Sequence, residues 1–178
     1  MANVKPTVQL LLALTAITAI AHGETTTTHL HFYMHDTQTP SPGSPATAVL
    51  VARGPTPSPV DPTNRFGDAY VIDDPLTEGP DLTSSRTVGR AQGFYLAASQ
   101  SLDALLLSVN MVFTAGRHNG SSVTVMGRDA IFNEVRELPV LGGTGVFRGA
   151  GGYIQIRTHS FNISNGNAVL KVDVFISV

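Results

Sequence analysis

Two aspartates stand where strand alternation would otherwise put apolar side chains. In SSVTVMGRDA, Val123, Val125, Gly127 and Asp129 fall on one face and Ser122, Thr124, Met126 and Arg128 on the other, so Asp129 ends an apolar row. In HLHFYMHD, Leu30, Phe32, Met34 and Asp36 share a face in the same way, with His31, Tyr33 and His35 opposite. A carboxyl group deprived of water gains proton affinity and can stay protonated at mildly acidic pH, which is the state a general acid needs. For Asp36, a strand-end carboxylate bonded to a turn is the other reading.

Other polar groups also admit two readings each. Tyr95, just after Gly93, could present its phenol to a cavity or serve as a core tyrosine with a satisfied hydroxyl. His29 and His31 have the two-residue spacing that turns both imidazoles one way, but no third ligand is identifiable, so no metal site is expected. Asp73-Asp74-Pro75 predicts a turn whose acids are solvated, because the residue before proline is held extended; acid–base work by this pair is the alternative. Gly142-Gly143-Thr144-Gly145 lacks the Lys-Ser/Thr ending of a phosphate loop and leads into a strand-like segment, so a tight connection explains it better than nucleotide binding.

The elements that must carry these residues are strands. Alternating or β-rich runs occur at 29–36, 47–53, 66–73, 88–98, 104–114, 122–129 and 168–177, separated by proline-rich loops at 37–45 and 54–64. Gly89 and Gly93 inside one run mark bends or bulges. Asn119-Gly120 between two apolar runs signals a hairpin. Eight or nine strands with no convincing amphipathic helix predict an all-β sandwich or a closed barrel, closure being the solution that removes edges.

A 178-residue chain suits one domain that can bury a core without disulfides, and it has no cysteine. A net charge of -2, with lysine only at positions 5 and 171, argues against nucleic-acid binding. Lys5, the apolar run Val8 to Ala21, and Ala21-His22-Gly23 read as a secretory signal peptide over 1–23; the run is too short to span a bilayer, and a single mature domain follows over 24–178. Export makes Asn119-Gly120-Ser121 and Asn162-Ile163-Ser164 candidate N-glycosylation sites, with Asn119 favoured on its hairpin.

The ordered segments HFYMHD, VIDDPLTEGPD, SRTVGRAQGFY, GRDAIFNEVRE and GGTGVFRGAGGY resemble the plant dirigent protein family over nearly the whole mature chain. That resemblance implies a secreted, eight-stranded antiparallel β-barrel, homotrimeric and located in the apoplast. It also implies a protein that guides phenoxy radicals, typically from coniferyl alcohol, to one lignan enantiomer. Radicals would come from a separate laccase or peroxidase, so no cofactor is implied. The family's cavity residues map to Asp36, Asp129, Arg136 and, less directly, Tyr95; Asp74 lies in a hallmark segment. Parity is less informative for Arg136 than for the acids, because Glu134 shares its face with Phe132, Leu138 and Val140. Many members have arginine where this chain has Gly151, which places local packing and contacts at the pocket rim in question. Two alternatives remain open: a relative that eliminates water from an isoflavanol through a quinone methide, as pterocarpan synthases do, and a non-catalytic binder of phenolics or sugars.

Overall fold

Alternation along each long strand, combined with sheet twist, turns one set of side chains into an enclosed interior. The computed structural model describes residues 27–59, 64–101 and 104–178; the leader assigned to 1–23 lies outside them. The strands are β1 (Thr27–Asp36), β2 (Ala48–Ala52), β3 (Thr56–Pro57), β4 (Arg65–Phe66), β5 (Ala69–Thr77), β6 (Thr87–Ala97), β7 (Ala104–Phe113), β8 (Ser122–Ala130), β9 (Arg136–Thr144), β10 (Gly151–Asn162) and β11 (Asn167–Ser177). The order β1-β11-β10-β9-β8-β7-β6-β5 closes through β5 onto β1, giving an eight-stranded antiparallel barrel, and β2 adds to the outside of β5. Closure occurs where Tyr33 and Met34 pair with Thr77 and Leu76.

The interior is built from period-two rows. Phe32 and Met34 of β1, Val123 and Val125 of β8, Ile154 and Ile156 of β10, and Leu170, Val172, Val174 and Ile176 of β11 are all buried. One end of the barrel is plugged by aromatic packing: Phe113 lies 6.0 Å from Phe32 and 5.7 Å from Phe147 between ring centroids. Phe113 ends β7 and Phe147 lies on the β9–β10 connection at that end, so the core fills there and leaves space at the other. Gly93 permits the strand crowding this curvature requires, since a Cβ added there would lie 2.0 Å from the Ser108 carbonyl oxygen.

Three expectations change. Asp73-Asp74-Pro75 is not a turn, because β5 runs through it. Pro75 is tolerated since β5 has no ladder neighbour on one side between Ile72, paired to β2, and Leu76, paired to β1, so no backbone donor is missed there. Asp74 is consequently fully buried, whereas Asp73 faces outward and pairs with Arg90. His35 is buried too, its Nε2 2.7 Å from Thr77 Oγ1. Since that hydroxyl donates to the Gly79 carbonyl at 2.7 Å, the His35 ring must be the donor in their contact. Gly151, finally, begins β10 at the plugged end, in register with Ser177, so its lack of a side chain does not touch the rim of the open end.

The connection after β2 is tied down by Asp68, which is fully buried. Its carboxylate accepts Gly54 N at 2.7 Å, Arg65 N at 2.9 Å and Arg53 Nη1 at 3.0 Å. This places Asn64 at the mouth of the open end.

Candidate functional site

Strand ends that gather at the open end enclose a cavity of about 400 Å³. Its apolar wall includes Met34, Ile72, Leu105, Leu107 and Leu170, and its polar groups come from the same inward rows, near their ends: Asp36 from β1, Tyr95 from β6, Asp129 from β8, Arg136 from β9 and Thr158 from β10. An aliphatic wall with a few convergent polar groups is what orients a small, largely apolar ligand.

The polar groups form two sets. In the first, Arg136 Nη1 donates to both oxygens of Asp129, at 3.2 and 3.4 Å, and Nη2 donates to Thr158 Oγ1 at 3.0 Å. Both charged residues are buried. Burial pushes Asp129 above the ordinary carboxylate range, while the Arg136 guanidinium and, more weakly, Arg128 pull it back. In the second set, Gln38 Nε2 donates to the Tyr95 hydroxyl at 3.0 Å, and that hydroxyl bonds the Asp36 carboxyl. Among the described residues no cation pairs with Asp36, and burial raises it to about 7 despite the Tyr95 bond. Tyr95 stacks on Tyr70 with centroids 4.8 Å apart, and burial beside Asp36 holds its phenol well above the usual range. Behind Asp36 stands Asp74, raised to about 8 by burial first and then by the Asp36 charge.

Asp36 Oδ1, Asp74 Oδ2 and Arg136 Nε are buried without a hydrogen-bond partner among the described residues. Buried polar atoms are normally satisfied, so three such atoms in one region mark a place built for something other than stability. The mouth adds Phe132 and Phe161, both partly exposed, with ring centroids 6.5 Å apart in an edge-to-face arrangement.

The structure thus brings Asp36, Asp129, Arg136 and Tyr95 together around one cavity, with Asp74 just outside its lining. Asn119 and Asn162 lie elsewhere, exposed on the β7–β8 connection and at the end of β10. His29 and His31 are on the outer wall, each 3.1 Å from Asp173 Oδ1, and Arg157 lies 3.5 Å from the other Asp173 oxygen. Among the described residues no group of three or more His, Asp or Glu side chains is disposed to hold a metal ion. Thr158 and Gln38 escaped sequence reasoning. Thr158 had the same signal as the acids, a polar residue extending the inward row Ile154, Ile156; Gln38 sits in a loop and had none.

The raised acids predict a pH dependence of stability. A carboxyl whose folded-state pKa exceeds its unfolded value leaves the native state with more bound protons, so stability falls as pH rises through that interval. His35, lowered by burial, acts oppositely, but only below its ordinary value of 6.5. Between pH 6.5 and 8 the acids therefore dominate, and thermal midpoints should decline across that window. Asp74→Asn should flatten the decline; an unchanged slope in calorimetry would refute the assignment.

A dirigent-like protein family profile matches residues 27–177. The chain is 45% identical to Dirigent protein 21 of Arabidopsis thaliana over 75% of its own length and 69% of the relative's. It is 42% identical to Pterocarpan synthase 1 of Glycine max, covering 71% of this chain and 73% of that one. Among solved structures, the pterocarpan synthase dirigent protein GePTS1 superposes with a TM-score of 0.77 at 39% identity, covering 86% of this chain and 91% of that one. With the closed barrel, the cavity and the profile match spanning nearly every described residue, the chain belongs to the dirigent-like protein family.

Proposed function

We propose that this protein controls the stereochemistry of bond formation at a phenolic quinone methide, in the first instance the one that follows coupling of two phenoxy radicals on the way to a lignan. The observation that carries this reading is Asp36, a carboxyl without a cation partner, beside Tyr95 in an apolar cavity. A one-electron oxidase of the laccase or peroxidase class supplies the radicals. The aliphatic wall and the aromatic mouth hold two planar rings so that one face of each is presented. Coupling forms a carbon–carbon bond and leaves a bis-quinone methide. Asp36 then donates its proton to the quinone oxygen, which raises the electrophilicity of the benzylic carbon. An internal hydroxyl attacks that carbon, a C–O bond forms, the ring regains aromaticity, and the hydroxyl proton returns to Asp36. Arg136, with a free Nε–H, binds a phenolic oxygen while its Nη1 holds Asp129.

A second reading is favoured by similarity to pterocarpan synthases. The same acid would protonate a leaving hydroxyl of an isoflavanol. Water would depart while the conjugated phenol gives its proton to the carboxylate, leaving the neutral quinone methide and the acid restored. An internal phenol would then add to the benzylic carbon as its proton passes to the quinone oxygen. Chiral chromatography separates the two. Coniferyl alcohol with limiting oxidase should give one enantiomer in excess only when the protein is present; racemic product there, with isoflavanol turnover instead, would replace the first reading by the second. Failure of both, with ligand binding retained, would leave a binder.

The same reading includes export, with cleavage near Gly23, glycan at Asn119, and self-association. Intact-mass measurement of secreted protein tests the first two, and a chain retaining Met1 would exclude export. Self-association is supported by an outward row across five strands, Val49, Val71, Phe94, Ser108 and Met126, set side by side by the register, with the four apolar members exposed. A trimer mass in sedimentation, falling to a monomer in a Val71→Glu/Phe94→Glu protein, is expected; a monomeric wild type would overturn it.

A further inference from the structure

The wall behind Asp36 contains a second carboxyl group. Asp36 of β1 and Asp74 of β5 lie two residues beyond Met34 and Leu76, the last ladder pair of these strands, and only Asp36 lines the cavity. Asp74 has no solvent exposure, and its Oδ2 meets no protein donor. Its other oxygen lies 2.6 Å from Thr47 Oγ1.

Proton counting at Thr47 decides the state of Asp74. The Thr47 hydroxyl accepts Thr37 N at 3.0 Å and stands within reach of two acceptors, the His35 carbonyl at 3.1 Å and Asp74 Oδ1 at 2.6 Å. A hydroxyl has one proton and cannot serve both. If Asp74 carries its own proton, each contact at Thr47 is served: Asp74 donates to Thr47, Thr47 donates to His35, and the oxygen left without a donor, Oδ2, is uncharged. An ionised Asp74 would instead take the Thr47 proton from the His35 carbonyl and leave an anionic oxygen bare in the wall.

We propose that Asp74 is held as a neutral carboxylic acid through Thr47 and is the positioning residue for the acid function of Asp36, making Asp36 the member of the pair that releases its proton to the cavity. This rests on the proposed acid role of Asp36. The Thr47 chain ends on the backbone of residues 35 and 37, which flank Asp36, so it fixes the strand end bearing the donor. Once Asp36 is ionised, its charge opposes loss of the second proton. The other titratable or charged groups near Asp74 are Tyr95 and Arg90 from β6 and Asp73 from its own strand, with Arg90 turned outward onto Asp73. None offers Asp74 a cation inside the wall.

Carboxyl-carbon NMR of aspartate-labelled full-length protein, without any ligand, tests this separately from activity. Comparison with Asp36→Asn identifies the Asp36 resonance, and comparison with Asp74→Asn identifies that of Asp74. Asp36 should titrate first, with Asp74 remaining at its protonated shift through pH 7. In Asp36→Asn the Asp74 midpoint should fall by about one pH unit or more, as expected for strongly interacting sites. Loss of the Thr47 hydroxyl in Thr47→Val should lower the Asp74 midpoint, because an acid that donates to Thr47 loses a bond made by its neutral form, and Thr47→Ser should restore it. A raised midpoint in Thr47→Val would show Thr47 as the donor and overturn the proposal. Asp74 already ionised at pH 6, or an Asp74 midpoint indifferent to Asp36→Asn, would overturn the proposal. If Asp36→Asn fails to fold, the wild-type Asp74 resonance assigned with Asp74→Asn still decides it, by being protonated or ionised at pH 6. Normal Asp74 behaviour with no stereochemical control would instead count against the function reading alone.

Discussion

An Asp36→Asn protein should fold, resist heat at least as well as wild type at neutral pH, and lose control over its product. Asparagine keeps the size of the side chain and can still accept the Tyr95 hydroxyl, but it has no proton of carboxylic-acid strength to give. General acid catalysis is typically worth about 10²–10⁴-fold, so the guided cyclisation should slow by that order and solvent-driven routes should take over. Stability should move the other way. Burial raises wild-type Asp36 to about 7, so at pH 8 the native state holds an anion the unfolded chain would solvate better, and the amide removes that penalty. Enantiomeric excess and melting temperature measured on one preparation separate the effects. Retained enantiomeric excess would exclude Asp36 as the donor and return attention to Asp129.

The second large effect belongs to Arg136, whose loss should damage folding before it damages chemistry. Asp129 and Arg136 are both buried in the cavity wall, and the guanidinium is the cation bonded to that acid across the β8–β9 hairpin. Arg136→Met fills a similar volume and leaves Asp129 as a buried, uncompensated acid. Breaking a buried pair in this way costs about 3–5 kcal/mol. For a domain of this size that corresponds to a drop of roughly 10 °C in midpoint. The deficit should shrink at pH 5, where Asp129 can take up a proton, and grow at pH 8. Asp129→Leu added to Arg136→Met should recover most of the loss, because replacing a whole buried pair by apolar groups is often neutral. Additive destabilisation in the double variant would show that the two residues do not act as a pair. Ligand selectivity should fail in both proteins, since the Arg136 contact to a phenolic oxygen is absent from each.

What separates these acids is their company. Asp129 shares its surroundings with a guanidinium, so its proton affinity is a balance between burial and that charge. Among the described residues the titratable neighbours of Asp36 are a phenol and a carboxyl, so burial acts with little opposition. The pairing makes Asp36 the better proton donor of the two, although the alternation argument alone ranks them equally.

Local geometry made much of the fold legible. Period-two rows depend only on the pleat of one strand, so the inward course of Phe32, Met34 and Asp36, of Val123, Val125 and Asp129, and of Leu170 to Ile176 could be read without a partner strand. The same rule applied to Tyr70, Ile72, Asp74 and Leu76 would have placed Asp74 inside. Pro75 obscured it, because proline was weighed as a turn signal, and only the gap between the β2 and β1 ladders makes it harmless within β5. The composition and strand count left sandwich and barrel both open; the pairing of Tyr33 and Met34 with Thr77 and Leu76 is a contact between distant segments that alternation cannot supply. Tertiary structure alone decided which polar groups meet: Arg136 with Asp129 and Thr158, Gln38 with Tyr95, and Thr47 with Asp74. The physical reason is that a strand's own geometry fixes the face of a side chain, whereas its neighbours, its water and hence its proton affinity are fixed by register, curvature and closure of the whole sheet.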